Sequence, residues 1–150
     1  MKKLEHIGIA VKDLKQANSL FAGLLKTSHY KIEEVESEGV RTSFFDVGGV
    51  KIELLEATRE DSPIAKFIEK RGEGIHHLAF EVENIQTSME EYQKNGYSLI
   101  QPQPKNGADN KLICFLHPKS TQGVLIELCQ DRKEVISWAL YRRIEANYNV

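Results

Sequence analysis

Between residues 4 and 11 apolar and small or polar positions alternate: Ile7, Ile9 and Val11 fall on one face of an extended segment, and His6, Gly8 and Ala10 on the other. Asp13 then supplies an N-cap for a helix with the apolar stripe Leu14, Ala17, Leu20, Phe21 and Leu24. Strands are expected over 30–35, 40–47 and 50–55, the last two joined by a Gly48-Gly49 hairpin turn. Ser62 and Pro63 open a crossover helix over 62–71 that presents Ile64, Phe67 and Ile68 on one side. The same order then returns. A strand over 74–82 leads to a helix capped by Asn84, carrying Ile85, Met89 and Tyr92 and ended by Gly96. Further strands are expected near 98–101, 111–116 and 123–129, with a loop over 101–110 where Pro, Gly and Asn gather. Asp131 and Glu134 form a capping box for a last helix over 131–147.

The recurrence extends to residue identities. The stretch E-H-I-G-I-A-V-K-D-L from Glu5 reappears 71 residues later as H-H-L-A-F-E-V-E-N-I from His76, so that His6 falls on His77, Val11 on Val82 and Asp13 on Asn84. Each copy later reaches a strand with an acid in its middle, V-K-I-E-L-L around Glu53 and V-L-I-E-L around Glu127. The expectation is one α+β domain over 1–150 built from two βαβββ modules, about 4–57 and 75–130, with the crossover helix between them and the last helix outside the repeat.

Charge narrows the function classes by exclusion. A net charge of −2 with dispersed Lys and Arg provides no footprint for nucleic acid or an anionic membrane. No apolar run approaches the roughly 20 residues of a spanning helix, and the opening Met1-Lys2-Lys3 leads into a strand, so a cytoplasmic protein is expected. Cys114 and Cys129 lie within apolar strands and read as reduced structural thiols.

His6, Glu53, His77 and Glu127 are the residues in which the repeat duplicates chemistry. An acid in mid-strand between large aliphatic residues is costly to bury unless it is paired or bound to a metal. Two imidazoles and two carboxylates suit a borderline divalent ion with room for water or substrate, whereas a structural zinc site would draw on cysteines. Alternation puts His76 on the opposite face from His77, as a packed or hydrogen-bonded neighbour. His29 and His117 have no counterpart in the other copy and stay unassigned.

From Leu4 to about Gln130 the chain resembles the vicinal oxygen chelate superfamily, and within it the methylmalonyl-CoA epimerase family. The resemblance rests on H-I-G-I-A-V, E-G-V, K-I-E-L-L-E, the crossover D-S-P-I-A-K-F and the segment H-P-K-S-T-Q-G-V-L-I-E-L. It implies paired modules forming a cup around one divalent ion per chain (cobalt, zinc, manganese or nickel), held by His6, Glu53, His77 and Glu127, in a homodimer acting on an acyl-CoA. It further implies interconversion of methylmalonyl-CoA epimers through an enolate with Glu127 as a base; the pseudo-twofold repeat puts Glu53 opposite it as the second base, and Lys119 and Ser120 are expected at the CoA rim. A glyoxalase I-like lyase or a non-catalytic small-molecule binder on the same fold are the alternatives. The chain departs from the family pattern in carrying Thr42 where a second catalytic glutamate is found, while some members have Gln at the position of Glu53. A glycine-rich family loop is replaced by Gly107-Ala108-Asp109-Asn110-Lys111.

Overall fold

The structure, a computed structural model, describes residues 1–132. Eight strands form one mixed sheet that curls into a half-barrel. In chain order they are β1 (Lys3–Ala10), β2 (Lys31–Val35), β3 (Val40–Val47), β4 (Val50–Ala57), β5 (Gly74–Glu81), β6 (Lys105–Asn106), β7 (Lys111–Leu116) and β8 (Ile126–Asp131). Three helices accompany them: α1 (Leu14–Leu25), α2 (Pro63–Arg71) and α3 (Ile85–Lys94). The order across the sheet is β2-β3-β4-β1-β5-β8-β7-β6, which is two βαβββ units joined edge to edge where β1 meets β5. That central pair is antiparallel, while β1/β4 and β5/β8 are parallel.

Local chemistry starts the helices where the sequence indicates. Asp13 accepts from the Gln16 amide, Asn84 from Thr87, and Ser62 from Ile64 with Pro63 following, so each N-terminus has a side-chain acceptor for an otherwise free N–H. The β3–β4 hairpin turns through Gly48 and Gly49 at φ of +63° and +91°, values that glycine adopts without a Cβ clash.

Strand alternation sorts the residues into two faces. On the convex face α1 covers Val11, Phe45 and Leu54, and α3 covers Val82, Cys114, Leu116 and Leu128. The concave face keeps the ionisable residues, and α2 closes one end of it by packing Ile64 on Ala10, Val40 and Leu55. Both cysteines are buried free thiols.

Three expectations need correction. The core stripe of α1 is Leu14, Ala17, Phe21 and Leu25, while Leu20 and Leu24 are exposed; the last turn faces the sheet one residue later than the pattern indicated. Residues 98–101 make only the isolated bridge Leu99↔Leu116, and the edge strand is Lys105–Asn106 inside the expected loop. Pro102 and Pro104 lack the N–H that a continuous ladder would use. The last strand begins at Ile126 and not at 123, after a turn in which Gln122 and Gly123 have positive φ. Asp131 ends β8, and the expected helix over 131–147 lies outside the described residues beyond Arg132.

Burial pushes the Cys114 thiol up to about 12 and the Cys129 thiol higher still, which keeps both as neutral thiols. Neither should react with Ellman's reagent at pH 8 in the folded protein, and two should titrate in guanidinium. Rapid native reaction of either would contradict this packing.

Candidate active site

The four residues selected by the repeat meet on the concave floor. Adjacent strands β4, β1, β5 and β8 contribute Glu53, His6, His77 and Glu127 in that order, each only 4–6 % exposed. His6 Nε2 lies 3.1 Å from His77 Nε2, 3.2 Å from Glu53 Oε2 and 3.7 Å from Glu127 Oε1. His77 Nε2 lies 3.4 Å from Glu53 Oε2 and 3.4 Å from Glu127 Oε2. For bonds near 2.1 Å to a divalent ion, neighbouring donors stand about 3.0 Å apart in an octahedron and about 3.4 Å in a tetrahedron. The observed spacings of 3.1–3.7 Å lie close to those values, and His6, His77 and Glu127 form a group that could hold a metal ion, with Glu53 beside both imidazoles.

Space for this arrangement is made by small residues. Gly8 pairs with Glu53 across β1/β4, and its counterpart Ala79 pairs with Glu127 across β5/β8. A Cβ on Gly8 would stand 2.1 Å from His77 Cε1, inside the imidazole ring's own volume.

Two irregularities between β1 and β5 place one extra residue beside each imidazole. Leu4 pairs with Phe80 and His6 with Ala79, which leaves Glu5 unpaired; Gly8 pairs with His77 and Ile9 with Ile75, which leaves His76 unpaired. The bulge therefore overrides alternation, and His76 stands on the same side as His77, its Nδ1 3.0 Å from His77 Nδ1 and its ring against Phe67 of α2. The expected opposite-face placement is corrected; the expected neighbour role is what the contacts show. Glu5, a residue sequence reasoning missed, sits 2.6 Å from His6 Nδ1. Its signal was present, because Glu5 and His76 are also 71 positions apart.

The two floor carboxylates differ. Glu53 turns one oxygen to the imidazoles while its Oε1 accepts from the Thr42 hydroxyl at 3.0 Å; Glu127 turns both oxygens toward the histidines. Burial would raise the Glu53 carboxyl, but His6 and His77 outweigh it and hold the group well below the usual range. Glu127 is raised, because burial dominates over the same imidazoles. Desolvation would lower His6, yet Glu53, Glu5 and Glu127 raise it well above its ordinary value. His76 is lowered to about 4 by burial and by His77.

The cup above this floor has an apolar end at Val35, Val40, Leu55 and Ile64 and a charged side that holds Lys105 and Lys111 together with Glu38 and Asp109. Lys119 and Ser120 lie outside it, in a short 3-10 turn over Pro118–Ser120. The Ser120 hydroxyl accepts from the Ser98 amide and donates to the His117 carbonyl. His117 caps that turn through its Nδ1, and His29 packs its ring on Phe45.

Two βαβββ units closing on an imidazole–carboxylate floor define a class, and sequence comparison agrees. Residues 5–115 match the Glyoxalase/Bleomycin resistance protein/Dioxygenase superfamily. The chain is 39 % identical over 132 residues to the uncharacterized protein YqjC of Bacillus subtilis, covering 88 % of this chain and 94 % of that protein. It is 36 % identical over 129 residues to the mitochondrial methylmalonyl-CoA epimerase of Homo sapiens, covering 85 % and 73 % of the two chains. The solved structure of a variant of the Streptomyces coelicolor methylmalonyl-CoA epimerase with 2-nitronate-propionyl-CoA superposes with a TM-score of 0.85 at 33 % identity, covering 88 % of this chain and 96 % of that one. The chain belongs to this superfamily and, within it, to the methylmalonyl-CoA epimerase family.

Two outcomes check the site. His6→Ala or His77→Ala should strongly reduce the metal content found by elemental analysis of the purified protein. Gly8→Ala should lower metal content as well, with a stability loss of about 1–3 kcal/mol from overpacking, read by thermal unfolding. Full metal retention in both histidine variants would refute the assignment.

Proposed function

We propose that this protein interconverts the two C2 epimers of methylmalonyl-CoA. One observation carries the reading: identity to characterised epimerases runs through nearly the whole two-module unit that forms the cup, with glutamates on both outer strands of its floor.

The C2 proton lies between a thioester and a carboxylate, so its removal leaves an enolate, and inversion requires the proton to return on the opposite face. A divalent ion held by His6, Glu53, His77 and Glu127 would stabilise the negative charge that develops on the enolate oxygen. The proton steps belong to the chain. Glu53 on β4 and Glu127 on β8 flank the histidine pair, so one takes the proton from one face while the other delivers to the opposite face. In the reverse direction their roles exchange. Thr42 donates to Glu53 Oε1 and fixes that carboxylate's orientation. Lys105 and Lys111 on the cup wall supply positive charge for the substrate carboxylate, and Lys119 and Ser120 are assigned to the outer reach of the CoA. Cobalt, zinc, manganese and nickel all accept this donor set, and the reading includes a cytoplasmic homodimer. No described helix is long and apolar enough to cross a membrane.

With single-epimer methylmalonyl-CoA in deuterated water, the metal-loaded protein should place deuterium at C2 and equilibrate the epimers, with little turnover of the methylglyoxal–glutathione adduct. The reverse preference would favour a lyase, and inactivity on both a binding protein. Glu53→Gln should lose about 10²–10⁴-fold in interconversion while retaining exchange from one epimer, and Glu127→Gln should retain exchange from the other only. Near-parental epimerisation by metal-loaded Glu53→Gln would reduce Glu53 to a ligand. The second base would then be sought among Glu33, Glu34, Glu36 and Glu38, of which Glu38 reaches the cup wall beside Lys105.

A further inference from the structure

We infer that Glu5 is a positioning residue for His6: its carboxylate holds a proton on His6 Nδ1, so that Nε2 is the nitrogen presented to the other donors, and Lys51 holds the carboxylate in place. The inference rests on the divalent-ion reading above.

Three observations support it. The first is the bulge. Glu5 has no partner residue on β5, which turns a residue that alternation would send to the other face into the floor, where it is 3 % exposed. The second is direction. An ionised carboxylate only accepts hydrogen bonds, so the 2.6 Å contact between Glu5 Oε2 and His6 Nδ1 requires Nδ1 to be the donor. A metal-binding imidazole needs this arrangement, with one nitrogen protonated and hydrogen-bonded and the other carrying the free lone pair. The third is support from behind. Glu5 Oε1 accepts from Lys51 Nζ at 2.7 Å, and that ammonium also bonds Asp109 Oδ2 at 2.7 Å, in the loop that the second module extends between β6 and β7. The Asp109 amide in turn donates to Glu33 Oε2 on β2 at 2.8 Å. Lys111 Nζ stands 3.7 Å from the same Glu5 oxygen.

The second module lacks this device. At the position equivalent to Glu5 it has His76, whose imidazole can donate or accept and therefore leaves the His77 tautomer open. The pseudo-twofold floor thus has one imidazole backed by an anion and one backed by a neutral ring.

A buried ion pair that merely stabilised the fold would not alter the His6 ring proton or metal affinity, and these are the quantities to measure. In metal-free protein, proton–nitrogen correlation spectra should show a downfield, slowly exchanging His6 Nδ1–H that disappears in Glu5→Ala. Competition with a zinc chelator should show Glu5→Ala weakening zinc by about 10–100-fold. Glu5→Gln, which keeps a neutral acceptor, should retain the Nδ1–H and fall between the two in affinity; it also decides the matter if Glu5→Ala does not fold. Parental affinity within twofold together with an unchanged Nδ1–H signal, in whichever variant folds, would overturn the inference. If the parental protein binds no zinc, the ion reading fails, and the ring-proton signal still decides the role of Glu5.

Discussion

Four ionisable side chains share a buried floor, and each can remain there only in the company of the others. A single carboxylate or imidazole removed from water at this depth would cost several kcal/mol without a partner. The fold meets that requirement through adjacency. Parallel pairing of β4 with β1 and of β8 with β5, joined by the antiparallel β1/β5 contact, sets one donor on each of four neighbouring strands. Alternation then sends the aliphatic neighbours Leu54 and Leu128 to the convex face, where α1 and α3 cover them. These two helices therefore occupy the outer face and leave the inner one to polar chemistry, while α2 closes one end of the cup.

The module junction does more than join two halves. The pairing of Gly8 with His77 and of His6 with Ala79 lets both rings enter the same space. Gly8 is required at that point, because any Cβ there would occupy the ring of His77. Bulges on both sides of this short stretch turn Glu5 and His76 inward, so the irregularity that interrupts the ladder also supplies each imidazole with a neighbour at Nδ1. Duplication thus extends to the supporting residues, which have since diverged in charge.

Much of this was legible in the chain. The 71-residue recurrence, mid-strand acids at Glu53 and Glu127, and caps at Asp13, Ser62 and Asn84 depend on local pattern, and local pattern is what a sequence displays. What escaped depends on pairing between distant strands. Alternation alone puts both Glu5 and His76 on the other face, because a bulge is a mismatch between two strands, invisible in either alone. Leu20 and Leu24 look like core on a helical wheel, yet both are exposed and Leu25 takes the inward position. The edge strand at Lys105–Asn106 is a two-residue pairing with β7 that no periodicity announces.

The departure at Thr42 also has a physical reason. Thr42 on β3 and Glu53 on β4 project into the same cup and touch through a 3.0 Å hydrogen bond. The family pattern places a glutamate at the first of these positions, and some members have glutamine at the second. Glutamates at both would bring two buried carboxylates into contact, and like charges at that distance cannot both stay ionised. This chain has one acid and one neutral hydrogen-bonding partner there, the hydroxyl on β3 and the carboxylate on β4. Glu53 Oε2 lies 3.2 Å from His6 Nε2 while its Oε1 stays on Thr42. On the proposed reading, Glu53 then has to bind the ion and also move the proton, as Glu127 does on β8.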